Sequence, residues 1–486
     1  MAEYMDEHQN FQDRWQATRR LTDSAGIRYE FLPATNLQPG YASIFNPAKY
    51  SAAQVPIVNA NGTITPTPNF NPTNGLIFNG LNGVPLNLTT MHQSFWAPTV
   101  GFAWDVFGNG KTALRGGYGI TYQDSPYQTN CANTCAVNPP LIQSLTLIAP
   151  SFPNPIGAAV KPASAPNLNS EALNIRPGQV QTYSLSLEHQ FAGDWLASIA
   201  GAGNIARHVG AAWNVNQPLP DGAFDCNPII NTGTVSPYLF SPYQGYGSIN
   251  TTEPGLNAYW DALEVGVRHP VGHNLFLSVA YTWQHDLSET GGPTMFNNEA
   301  GPQDVYRPGN DYGNSYLNVP QILTFSYVYD LPWYKNGRGW KGLALGGWRY
   351  AGMTTIQSGF SLTPGLSVSH QGLATRSDYA GGSVVGPKTA QQWFNTAAFA
   401  APPFGYFGNA TPGSIPGPGV VDFDMAVYKD FHITERNMFE FRAEAFNAFN
   451  RANFSGIQTA VGTRNYGQVT SALDPRIFEL SLRYGF

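Results

Sequence analysis

Charge is scarce in this chain. Asp, Glu, Lys and Arg together supply only 12% of its 486 residues, about half of what a soluble globular domain carries. The net charge of -6 gives no basic footprint for nucleic acid. No run of about 18 apolar residues occurs, and the mean hydropathy is -0.24, so a bundle of membrane-crossing helices is excluded. Of three cysteines, Cys131 and Cys135 in NCANTCA are spaced to close a small loop disulfide or to remain unpaired thiols, and Cys226 is left odd. The opening MAEYMDEHQNFQDRW has no basic, apolar or small-residue leader signature. A place of work outside the cytoplasm therefore predicts further sequence ahead of Met1.

What the chain has instead is 13% aromatic residues, 51 Gly, 38 Pro and 25 Tyr. Period-two alternation recurs throughout, as in QTYSLSLEHQF, NLFLSVAYTWQ, MFEFRAEAF and the terminal IFELSLRYGF, and this is the pattern of a strand with two unlike faces. Thirteen strands are expected, near 10–17, 21–33, 94–107, 111–123, 179–192, 194–207, 257–269, 273–286, 319–331, 342–358, 420–432, 437–449 and 477–486. Their connections alternate strictly. Short ones (FGNGK, FAGD, HPVGH, LPWYKNGRGWK, HITER) take turns with long ones near 34–93, 124–178, 208–256, 287–318, 359–419 and 450–476.

Strands of about ten residues match a tilted crossing of a bilayer. So many long loops are foreign to a compact soluble domain but regular in outer-membrane barrels, where turns are periplasmic and loops external. In hydrocarbon every backbone polar group must be bonded within the protein, which a closed sheet achieves. The expected fold is one all-β domain spanning 1–486, an antiparallel transmembrane β-barrel. Trp96, Trp104, Tyr122, Trp195, Trp260, Trp283, Trp333 and Tyr484 suit the interfacial aromatic girdles. The first and last strands both run toward the short-turn side, so thirteen strands cannot close as an antiparallel ring, and strands are expected to be missing from the front.

FAWDVFGNGKTALRGGYGITY (102–122), YGNSYLNVPQILTFSYVYDLPW (312–333), WFNTAAFAAPPFGYFGNA (393–410) and the terminal stretch from FRAEAFNAFN through YGQ and DPR to RYGF (441–486) resemble the C-terminal barrel of TonB-dependent outer-membrane transporters of the Oar-like type. The opening FQDRWQATRRLTDSAGIRYEFLP resembles a strand pair from the middle of that barrel. The resemblance covers nearly the whole chain. It implies a 22-stranded barrel, of which about thirteen strands are here, normally filled by a plug and preceded by a TonB-contact segment and often a regulatory β-sandwich. None of those parts is recognisable in this sequence.

Chemistry has little foothold. The nine histidines lack paired metal spacing, His269 and His273 flank a turn, GNGK lacks the phosphate-loop spacing, and DVYRPGNDYGN lacks an EF-hand's ligands. Glu440, Arg442 and Glu444 read as a polar ladder lining the barrel interior. No catalytic residue, metal or cofactor is expected. The resemblance implies energy-coupled uptake of a bulky solute (glycan, peptide or siderophore type). Trp213, Tyr238, Tyr243, Tyr246, Trp393 and Phe407 stand as loop aromatics that contact the solute or pack the loops together. Leu480, Leu482, Tyr484 and Phe486 resemble the C-terminal signal read by the barrel-assembly machinery. The implied partners are outer-membrane lipid, that machinery, the solute and, only through absent N-terminal parts, the TonB complex; nucleic acid is not expected. The alternatives are a passive outer-membrane channel or surface adhesin barrel and a secreted all-β carbohydrate-binding protein.

Overall fold

The computed structural model describes residues 7–32, 36–91, 94–122, 135–142, 147–148, 153, 159–160, 164–218, 236–269, 274–289, 299–334, 339–370, 374–403, 406–432 and 437–485. One antiparallel path of thirteen strands dominates it: β1 (Glu7–Gln16), β2 (Leu21–Phe31), β3 (Ser94–Asp105), β4 (Thr112–Tyr122), β5 (Gln179–Gln190), β6 (Leu196–Asn214), β7 (Ile249–His269), β8 (Leu275–Ser288), β9 (Gln321–Asp330), β10 (Trp348–Gln357), β11 (Val420–His432), β12 (Met438–Phe446) and β13 (Ile477–Gly485). Each pairs with its sequence neighbours, and three short strands in the loops extend the sheet to sixteen. Among the described residues β1 and β13 are not paired with each other.

Register fixes the two faces. Glu440 lies opposite Arg483 and Asp430, whereas Phe441 lies opposite Leu482 and Lys429. Carried strand by strand through the ladder, this parity places Leu185, Ile199, Val265, Val279 and Leu480 on one face, and Arg115, Glu188, Glu264, Asp330 and Arg349 on the other. The apolar face is bare: Leu185 is 53%, Trp283 57% and Leu480 69% exposed. An apolar surface continued over this many strands is a membrane contact rather than scattered surface residues.

Local chemistry sets the hairpins. Between β3 and β4, Gly108 (φ 72°) and Gly110 (φ 70°) take left-handed conformations, which glycine adopts without a Cβ penalty. Both of their amides donate to the Asp105 carboxylate at 2.9 Å.

Three expectations are corrected. β6 and β7 run to 19 and 21 residues, well into the segment read as a loop over 208–256, past a bulge where His208 takes φ 57°. The strand expected from 342 begins at Trp348, because Gly339–Leu345 forms a helix, α1. Trp260 faces the interior, not lipid: it lies opposite Asp286, and its indole N–H donates to Gln284 Oε1 at 2.8 Å.

Candidate functional site: the interior wall and the loop layer

The interior face of β9 to β12 carries a charged ladder near the short-turn end. Arg349 Nε donates to Asp330 Oδ1 at 2.8 Å, and its Nη2 lies 3.9 Å from Asp430 Oδ2. Arg442 stands 3.4 Å from Glu440 and 3.9 Å from Glu444. The Tyr428 ring lies between the two cations, 4.8 Å from the Arg442 guanidinium and 5.9 Å from that of Arg349, a cation–π arrangement. Asp430 Oδ1 and Arg442 Nε are buried within the ladder without a hydrogen-bond partner among the described residues. The ladder expected from Glu440, Arg442 and Glu444 is therefore present, and it is wider than the sequence suggested. Arg349 and Asp330 join from strands whose alternation alone does not reveal a shared interior patch.

Beside the ladder, Ala351 and Ala426 face each other across β10 and β11. Two methyl groups where neighbours are larger leave a hollow of about 240 Å³, bordered by Met353, Asp424, Tyr428 and Glu444. Further along the wall, Arg115 pairs with Glu188 and Arg28 with Glu30.

At the opposite end the long loops knit into one layer. In one cluster Phe45, Leu76, Leu168, Tyr246 and Ile249 pack with Tyr50, Phe78 and Tyr243. Tyr243 stands edge-on to Phe45 at 4.7 Å and to Tyr50 at 5.2 Å, and Tyr246 donates its hydroxyl proton to Asn74 O at 2.8 Å. Burial raises the Tyr246 phenol above its ordinary value, so it remains a donor. A second cluster gathers Phe394, Ala398, Phe399, Ala410 and Ile415 with Trp393 and Tyr466.

A buried polar hub joins three loops. Asp311 pairs with Arg376, both nearly closed to solvent. Gln303 Oε1 accepts from the amides of Thr375 and Arg376, Gln303 Nε2 donates to Gly408 O at 3.0 Å, and Gln217 Nε2 donates to Gln303 O at 2.7 Å. Burial pushes the Asp311 carboxyl up while Arg376 opposes it.

Of the six aromatic positions singled out in the sequence, the structure brings together Tyr243 and Tyr246, inside the first cluster. Tyr246 is 4% exposed, so its ring packs the layer. Trp213 sits on β6, against Gly255 of β7, with its indole N–H unpartnered among the described residues. Trp393 donates its indole proton to Pro416 O at 2.8 Å at the edge of the second cluster. Tyr238 lies in a short 3-10 turn, and Phe407 is half-buried. The six do not form one surface. The sequence reading passed over Tyr306, Tyr312, Tyr316 and Leu317, each between 38% and 54% exposed. Their signal was there in DVYRPGNDYGNSYLN, where Tyr recurs between turn formers.

Leu480, Leu482 and Tyr484 share the exposed apolar face of β13 with Phe478; Phe486 lies outside the described residues. Cys135 is fully buried and disulfide-bonded, while Cys131 and Cys226 lie outside the described residues. Among the described residues no three of His, Cys, Asp and Glu gather as a metal ion requires.

A family model described as an outer membrane beta barrel domain matches residues 6–479. Among solved structures, the outer membrane transporter YddB from Escherichia coli is similar at 8% identity and a TM-score of 0.46, covering 98% of this chain and 53% of that one. The ferripyoverdine receptor of the Pseudomonas aeruginosa outer membrane is similar at 11% identity and 0.43, covering 99% and 38%. BauA, the ferric preacinetobactin receptor from Acinetobacter baumannii, is similar at 10% and 0.44, covering 99% and 42%. The chain thus spans about half or less of the length of these structures. No curated protein matches it in sequence.

Proposed function

This chain belongs to the outer membrane beta barrel domain family, and from that premise we propose that it forms part of the barrel wall of a TonB-dependent transporter that takes up a bulky solute. The observation that carries the reading is the charged interior ladder of Asp330, Arg349, Asp430, Glu440 and Arg442, whose side chains stay partly open on the interior face. An inert wall has no need of charges held in fixed geometry, since paired charges cost desolvation wherever water is displaced. A wall that is successively covered and uncovered by a moving polar body or a passing polar solute does need them. The motifs WFNTAAFA and EAFNAFN, with YGQ and DPR after them, support the assignment to this kind of transporter.

The working barrel also needs more than these thirteen strands. β1 and β13 both run toward the short-turn end, and an edge left open in hydrocarbon strands its backbone amides and carbonyls. The loop layer is the first surface an external solute meets, and the partly exposed rings of Tyr306, Tyr312 and Tyr316 are suited to packing against glycans or peptides.

The test is uptake by cells that express the chain in its natural gene context. Labelled oligosaccharides, peptides and ferric siderophores are offered with and without a protonophore. Accumulation of one class that stops with the protonophore supports the proposal. Entry graded only by solute size and indifferent to the protonophore overturns it in favour of a passive channel.

A further inference from the structure

The connection between β9 and β10 departs from the other short turns. It reads LPWYKNGRGWKGLALGG, contains Lys335, Arg338 and Lys341, and has no Asp or Glu, in a chain whose net charge is -6. Its apolar side chains are open: Trp333 is 64%, Trp340 74% and Leu343 49% exposed. Trp340 and Leu343, three apart on α1, share a helix face.

Two contacts fix which side of the sheet α1 lies on. Trp348 and Lys429 face each other across β10 and β11, and Lys429 faces Phe441 across β11 and β12, so both belong to the apolar, lipid-facing side. The Trp348 indole N–H donates to Ala344 O at 2.9 Å. Lys429 Nζ donates to Gly346 O and to Asp430 O. Lys429 is 2% exposed, and its ammonium lies 4.5 Å from the Phe431 ring centre. A cation buried on an apolar face is costly unless its donors are met. Here Gly346 O, just past the C-terminal end of α1 where the helix dipole is negative, and Asp430 O of β11 meet two of them. The last turn of α1 is therefore clasped against the outside of the barrel at its periplasmic rim.

We propose that α1 is an interfacial foot that lies in the headgroup region of the periplasmic leaflet, with Trp340 and Leu343 turned into the acyl boundary and Lys341 on anionic phospholipid headgroups. The occupant is lipid because the last turn of α1 is held on the lipid-facing side through Trp348 and Lys429, because Trp340 and Leu343 are exposed beside it, and because the charges of the segment are of one sign. Cationic and aromatic residues around a short apolar face are the composition of surface-lying amphipathic segments. The proposal rests on the membrane-spanning reading of the sheet.

The full chain is folded into vesicles of phosphatidylcholine with phosphatidylglycerol whose acyl chains are brominated near the headgroup, and tryptophan emission is compared for the wild type, W340F and W283F. Trp283 reports the lipid-facing side at the opposite rim. The expected result is that W340F loses part of the bromine-quenched emission, and that this part shrinks when phosphatidylglycerol is left out. If W340F quenches as the wild type does while W283F loses its share, the foot is refuted and the membrane-spanning sheet stands. If neither substitution changes the quenching, both fail. If the Trp340 share is the same without phosphatidylglycerol, the anionic specificity is refuted.

Discussion

Glu171 ends the short strand Leu168–Glu171, which lies parallel to the start of β7 in the loop layer. It is 2% exposed, and its Oε1 has no hydrogen-bond partner among the described residues. Burial alone pushes its carboxyl from 4.5 up to about 8. The folded protein therefore holds a proton here that the unfolded chain releases between pH 4.5 and about 8. Stability is full below 4.5, falls as pH rises through that window, and levels off above about 8, where both states are charged. At about 1.4 kcal/mol per pH unit the ceiling is about 5 kcal/mol, and water entering the ionised site brings the expected loss to roughly 2–5 kcal/mol. Glu171→Gln keeps the shape and removes the charge. In detergent micelles, the urea midpoint of the loop layer, read from the near-ultraviolet dichroism of its tyrosines, should fall for the wild type between about pH 5 and about pH 9 and fall much less for the variant. A variant that shows the wild-type slope refutes the reasoning, because the pH dependence would then arise elsewhere.

Other perturbations separate packing from polar linkage. Asp311→Asn leaves Arg376 buried without its partner and should cost about 3–5 kcal/mol in the same urea assay, whereas Asp311→Leu combined with Arg376→Met should recover most of it. Tyr246→Phe strands the Asn74 carbonyl and should lower stability by about 1–2 kcal/mol. Ala426→Phe fills the hollow beside Tyr428 and should reduce accumulation of the transported solute while leaving the urea midpoint in place; uptake at the wild-type rate removes the hollow from the solute's path. Leu482→Asp sets a charge on the lipid-facing side of β13 and, like deletion of Phe486, should lower the heat-modifiable, membrane-inserted fraction on gels.

The sequence was most readable where the bilayer dictates it. Alternation in SFWAPTVGFAWD or MFEFRAEAF is imposed by lipid on one side and a polar interior on the other, so those strands fall close to where the period-two pattern put them. Above the membrane that pressure stops. The upper part of β6 reads ARHVGAAWN, with small residues on both faces, and nothing in such a stretch separates strand from loop. α1 escaped notice because seven residues are too few for a helical period to register. The Asp311–Arg376 pair joins positions 65 residues apart through loop folds with no local signature, and no spacing rule predicts it.

The length of β7 has its own consequence. Twenty-one residues at about 3.3 Å each make a ribbon of roughly 70 Å, which a tilt of about 45° turns into a height of roughly 50 Å, against an apolar band about 25 Å tall. About half of the β6–β7 hairpin therefore stands clear of the hydrocarbon as a mast with the loop layer as its canopy. Whatever approaches from outside meets this hairpin and its loops about one apolar-band height above the lipid.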